Sequence, residues 1–229
     1  MPPDHARRFC SDEELEQIGY DGHGAAGDLE RWRCCGVPPA TQELINVLRA
    51  EGVGSATLLD VGAGVGIVHL SLLEAGAAKA VDVDASRDYL AAARGEAERR
   101  GLADRVDYRY GDVVELAAEL PAADIVTLDA VICCYPHHAA LLRAAVRPGP
   151  RLVGLIYPHD AWWSRVRMHL SNLIWALRRR PDHWYIARRA QIDRVMGEAG
   201  YGAAHRGGTR SWKVVVYRRE LASNRPRSG

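Results

Sequence analysis

The sequence predicts an α/β fold: an open, mostly parallel sheet with helices on both faces, ending in a C-terminal hairpin. Three observations carry this. Short apolar runs alternate with turn signals and helix-length segments through the central and C-terminal parts of the chain. One apolar run ends in an acid and a glycine-rich turn that opens a helix, at residues 58–70 (LLDVGAGVGIVHL). The tail carries a Gly207-Gly208 pair ahead of a β-branched run.

Taken in order, Ala56 to Val61 reads as the first strand after the turn-rich 52–55, and a helix follows the glycine loop from 66 to 75. Lys79 to Asp84 is the second strand, with valines at 81 and 83. Ser86 stands where a helix N-cap belongs, Asp88 lies in the first turn, and Gly101 follows the last. Residues 106–110, 124–131 and 151–157 give strands three to five, with a helix over 138–146 stopped by Pro148-Gly149-Pro150. Trp162, Val166, Leu170, Leu173, Ile174 and Leu177 recur at helical spacing and predict an amphipathic helix over 161–180. A further helix fits 188–199, and the hairpin runs from 203–206 through Gly207-Gly208 to 212–218. The first fifty residues read differently, with helix-like pieces at 12–18 and 40–51 joined across a glycine-rich link at 22–27. They are expected to form a helical cap, residues 1–51, on one domain at 52–221. The end, SNRPRSG, reads as a disordered tail at 222–229.

Composition narrows the function classes. The chain has 229 residues, 48% hydrophobic and 26% charged, with a formal net charge of +1, which suits one globular domain with a modest addition. No basic excess points to nucleic acid, and all but Lys79 and Lys213 of the basic residues are arginine. No apolar run has the length of a signal peptide or a membrane span, so a cytoplasmic protein without integral membrane contact is expected. Five cysteines, four of them in adjacent pairs, make a poor disulfide framework. No C-x-x-C spacing supports a metal site from Cys10, Cys34 and Cys35, so none is assigned.

The glycine loop and three acids carry the chemistry. Gly62, Gly64 and Gly66 alternate between strand and helix, where missing side chains allow a tight turn and close ligand approach. Asp60, Asp84 and Asp112 fall at the carboxyl ends of strands one to three, where open α/β sheets bind ligands. Asp84 lies 20 residues beyond Gly64, the spacing at which an acid meets ribose hydroxyls. Asp82 shares its strand face two residues earlier and is the alternative. A nicotinamide dinucleotide fits less well, because the third glycine of its fingerprint would fall at Ile67 and Asp60 would repel a pyrophosphate. S-adenosyl-L-methionine has no phosphate and carries two cationic centres, which Asp60 favours.

These segments resemble the class I S-adenosylmethionine-dependent methyltransferases over roughly residues 55–217. LDVGAGVG is similar to the family's first motif, VDVDAS to its ribose-binding motif, YGDVV to the segment contacting adenine, and ADIVTLDAVICCYP to its fourth-strand motif. The resemblance implies a Rossmann-like seven-stranded sheet whose last strand is antiparallel. It implies that Gly62, Ala63, Gly64 and Gly66 border the methionine moiety with Asp60 and Asp129 nearby. It further implies that Asp84 and Ala85 hold the ribose, and that Asp112 meets the adenine amino group with Val113 beside the ring. The CCYP run is also similar to small bacterial methyltransferases and, more distantly, to magnesium-protoporphyrin methyltransferases.

Methyl transfer needs alignment and water exclusion, and a base only where the acceptor loses a proton. The segment after strand four (DAVICCYPHH) supplies Tyr135 and His137 as candidates to position or deprotonate the acceptor. A small-molecule acceptor, apolar or aromatic, is expected from Trp162 and Trp163 near strand five. The alternatives are an NAD(P)-dependent oxidoreductase and a non-catalytic module that keeps the fold.

Overall fold

A computed structural model describes residues 24–159, 170, 185 and 187–220. Its seven-stranded sheet comprises β1 (Thr57–Val61), β2 (Lys79–Asp84), β3 (Val106–Tyr110), β4 (Ile125–Asp129), β5 (Leu152–Pro158), β6 (Tyr201–Gly208) and β7 (Trp212–Arg219). The spatial order is β3-β2-β1-β4-β5-β7-β6. Neighbours from β3 to β5 are parallel, and β7 lies antiparallel between β5 and β6. The expected Rossmann-like architecture is therefore present.

Alternate residues of each strand feed two separate cores, as side-chain alternation requires. On one face Leu58, Ala80, Ile125, Leu152 and Val216 meet α1 (Gly24–Cys35), α2 (Pro39–Ala50), α3 (Ile67–Glu74) and α4 (Arg87–Arg99). On the other, Leu59, Val83, Val126, Leu128 and Leu155 pack with α5 (Val113–Leu116), α6 (His138–Val146) and α7 (Arg189–Glu198). Helix α2 begins with Pro39 in its first turn and buries Leu44, Ile45 and Leu48 at 3.6-residue spacing. It sits close to β5 because Gly154 has no side chain; a Cβ there would meet Leu44 Cδ1 at 2.7 Å. Helix α4 starts as its sequence dictates, with the Ser86 side chain accepting from the Tyr89 backbone N–H.

Four expectations are corrected. Gly207 and Gly208 are not the hairpin turn: they belong to β6 and pair with Val214 and Lys213, and residues 209–211 turn instead. The glycine-rich link at 22–27 becomes helical from Gly24, because α1 is held by tertiary contacts. Trp32 is buried, Tyr89 donates to Asp28 at 2.6 Å, and Arg33 binds Glu96. Strand β4 ends at Asp129 rather than at 131, since Ala130 takes a left-handed conformation with φ 60°. Asp112 caps a short helix, α5, that the sequence reading did not include. The helices expected at 12–18 and 161–180 and the tail at 222–229 lie outside the described residues, Leu170 apart.

Candidate cofactor site

The strand order reverses between β1 and β4, and in open α/β sheets the crevice beyond the carboxyl ends at such a reversal is the ligand site. The glycine loop fills this position. Gly62, Gly64 and Gly66 have φ of 60°, 57° and 85°, a left-handed series that other residues adopt only under strain. Gly62 also lies against the segment after β4, since a Cβ on it would meet Val131 Cγ2 at 2.6 Å. Ala63, between the glycines, is part-exposed.

Four carboxylates lie on the α1–α4 face around this loop. Asp84, at the end of β2, is 6% exposed and accepts from the backbone N–H groups of Gly64 (3.0 Å) and Ser86 (2.8 Å). Burial pushes its carboxyl up to about 6, against those hydrogen bonds and with help from the charge of Asp60. Ala85 continues from it, part-exposed. Asp129, at the end of β4, is also raised to about 6 by burial, although Thr41 Oγ1 on α2 donates to it at 2.6 Å. Asp60 is engaged inside the protein: Thr127 Oγ1 donates at 2.6 Å, and His69 Nδ1 lies 3.0 Å away. At 1% exposure its negative charge reaches the loop through space rather than by contact. Asp82 is fully buried, and among the described residues neither of its oxygens has a hydrogen-bond partner. Burial and the neighbouring Asp60 and Asp84 raise its carboxyl well above the usual range. Of the two acids on β2, Asp84 is the one at the crevice.

Asp112 follows β3 and is 7% exposed; its Oδ1 accepts from Val114 N–H at 2.8 Å, and Val113 beside it is buried. Tyr135 Oη donates to Asp112 Oδ2 at 2.8 Å. The segment after β4 thus touches the glycine loop through Val131 and the β3 end through Tyr135. Its first residue, Ala130, has φ 60°, a conformation costing about 1–3 kcal/mol that is characteristic of functional turns. The Ala130 carbonyl accepts from Cys133 Sγ and Cys134 Sγ, so these thiols brace the turn. His137 is exposed at the head of α6 and makes no side-chain cap. His138 is turned inward, with Tyr185 edge-on at 6.4 Å, and burial lowers its imidazole below the ordinary range.

Sequence reading singled out the acids and the loop but not Thr41, His69 or Thr127. Nothing local signals the Thr41–Asp129 or Asp60–Thr127 pairs, which span 88 and 67 residues of chain. Among the described residues no His, Cys, Asp and Glu cluster suits a metal, and no helix is long and apolar enough to cross a membrane.

Known proteins resemble this chain in sequence and in fold. Residues 59–148 match the family described as methyltransferase domain. Ribosomal protein L11 methyltransferase of Salmonella arizonae is 36% identical over 72 residues, 31% of this chain and 25% of that protein. The chain thus matches about a quarter of the length of such relatives. Magnesium protoporphyrin IX methyltransferase from Synechocystis PCC 6803, solved with bound SAH (S-adenosylhomocysteine), superposes with a TM-score of 0.71 at 18% identity, covering 92% of this chain and 100% of that one. An O-methyltransferase family protein from Burkholderia thailandensis gives 0.69 at 15% identity, covering 94% and 64%. Residues 59–148, which hold the glycine loop and the site acids, thus match a methyltransferase domain, and the seven-stranded sheet has the fold of the class I S-adenosylmethionine-dependent methyltransferases.

Proposed function

We propose that this chain binds S-adenosyl-L-methionine along the carboxyl ends of β1, β2 and β3 and transfers its methyl group to a small, apolar or aromatic acceptor. The observation that carries the reading is the left-handed glycine loop at the strand-order reversal, facing Asp84. When bound, the cofactor supplies an electrophilic methyl group on a sulfonium. Gly62, Ala63, Gly64 and Gly66 would border the methionine moiety, where absent side chains leave backbone N–H groups approachable. Asp60 and Asp129 supply negative potential that favours the cationic centres. Asp84 and Ala85 hold the ribose, and Asp112 and Val113 the adenine.

An apolar or aromatic acceptor accords with the side chains gathered where the segment after β4 meets the end of β5, among them Ile132, Tyr157, Pro158 and Tyr185, beside His159. His137, exposed at the head of α6, serves as base for an acceptor that must lose a proton; otherwise alignment and dehydration suffice. Residues 1–51 act as a cap whose Thr41 reaches Asp129, and the protein works in the cytoplasm.

The test is thermal unfolding with S-adenosylhomocysteine, NAD or NADP. At a hundredfold excess over Kd a ligand specific to the folded state adds about 2.7 kcal/mol, an increase of about 5–10 °C in Tm for this chain length. The rise is expected with S-adenosylhomocysteine only, and a rise confined to the dinucleotides overturns the reading. A screen with isotopically labelled cofactor then tests the acceptor class, with His137→Ala compared for turnover. Ribosomal protein belongs in that screen, and label on it alone would replace the small acceptor by a protein.

A further inference from the structure

We infer that Tyr135 is a positioning residue for adenine recognition: its hydroxyl orients the Asp112 carboxylate from across the site. The inference rests on the cofactor reading above. Asp112 is held by donors on different oxygens, Val114 N–H on Oδ1 and Tyr135 O–H on Oδ2, both at 2.8 Å. Two donors on two oxygens fix the carboxylate plane as well as its position. At 7% exposure Asp112 takes its hydrogen bonds from protein donors more than from water.

The second donor comes from the other side of the crevice. Tyr135 lies 23 residues along the chain, on the segment after β4, and β3 and β4 are separated by β2 and β1 in the sheet. That segment is pinned at its other end, where Val131 packs against Gly62. One short stretch therefore touches both the loop assigned to the methionine moiety and the acid assigned to the adenine. A carboxylate held in this way accepts from the 6-amino group of adenine, whereas the 6-oxo group of hypoxanthine presents an acceptor and is repelled. Tyr135 acts through Asp112, which separates its role from that of an acceptor base.

The test is titration calorimetry with S-adenosylhomocysteine and its hypoxanthine counterpart, S-inosylhomocysteine, on the wild type, Tyr135→Phe, Asp112→Asn and the double variant. Phenylalanine keeps the ring, and asparagine keeps a good helix cap, so the fold is preserved. Tyr135→Phe is expected to weaken S-adenosylhomocysteine binding about 3–10-fold, the range for one hydrogen bond, with little change for S-inosylhomocysteine. In the Asp112→Asn background the same substitution should have no further effect. Equal losses for both ligands, additive losses in the double variant, or no loss would overturn the inference and leave the cofactor reading intact. A wild type that binds neither ligand would overturn that reading itself.

Discussion

The two faces of the sheet differ in kind. From β2 to β5 the face toward α5–α7 carries Val83, Leu59, Val126, Leu128, Val153 and Leu155, the apolar surface expected of a covered parallel sheet, with Asp107 and Arg109 on the edge strand β3. The face toward α1–α4 is apolar only in its lower part. Across its middle runs a polar row in register, Tyr108, Asp82, Asp60, Thr127 and Gly154, and Asp84 and Asp129 stand one level higher at the strand ends. One face holds the protein together. The other gives up apolar contact to bury acids beneath the glycine loop.

The largest expected effect lies on the apolar face. Leu155→Ala, at a fully buried position, should lower unfolding free energy by about 2–5 kcal/mol in denaturant titrations while leaving S-adenosylhomocysteine affinity within about twofold. A matching loss of affinity would mean that the faces do not divide stability from binding. On the polar face the order reverses: Asp84→Ala should cost about 10–100-fold in affinity, as expected for charge-assisted hydrogen bonds, and Asp82→Ala much less. The same acids give affinity a pH dependence. A ligand that favours the ionised carboxylates binds best above about 6, where Asp84 and Asp129 titrate in the free protein, and weakens as pH falls through that value. Affinity that is flat between pH 5 and 7 would remove these two carboxylates from the site.

The smallest effect sharpens the contrast within β2. Asp82 has no hydrogen-bond partner among the described residues, and its raised folded-state pKa means that the native state favours the protonated acid more than the unfolded chain does. Stability is then lost as pH rises from the unfolded value toward the folded one, and the penalty is complete above the folded value. Asp82→Asn should accordingly raise Tm at pH 8 by about 2–4 °C, equivalent to about 1 kcal/mol in a domain of this size, with the gain shrinking toward pH 4. A lower Tm at pH 8 would show that the charge of Asp82 has a stabilising partner.

Much of this division was legible in the sequence because it is local. Strand β2 is bounded in the structure as the sequence reading bounds it, since valine alternation and the Ser86 cap act over a few residues. The glycine loop is legible because its left-handed turn demands those residues at that spacing. What stayed hidden depends on distant partners. Helix α1 contains glycines that signal a linker, and only Trp32, Asp28 and Arg33 meeting α4 make it helical. The hairpin turn was misplaced because Gly207 and Gly208, good turn formers, sit in an edge strand where backbone pairing tolerates them. At the site, acid positions followed from strand ends, but which acids are already engaged did not. Asp60 is taken up by His69 and Thr127, and Asp82 by none of the described residues, a difference set by packing across strands.

The position of β7 bears on the order in which the molecule can be completed during synthesis. β7 follows every other strand among the described residues, yet its place is inside the sheet, between β5 and β6. As the chain is made from its N-terminus, β6 emerges while its neighbour does not yet exist, and α2, made long before, waits for part of the surface it will cover. Shortening the chain before residue 212 would therefore cut β6 adrift rather than trim a margin, and would strip support from the helix that carries Thr41 to Asp129. A growing chain therefore settles the Pro39–Ala50 helix, and with it the Thr41–Asp129 contact, only after this last-made strand is in place.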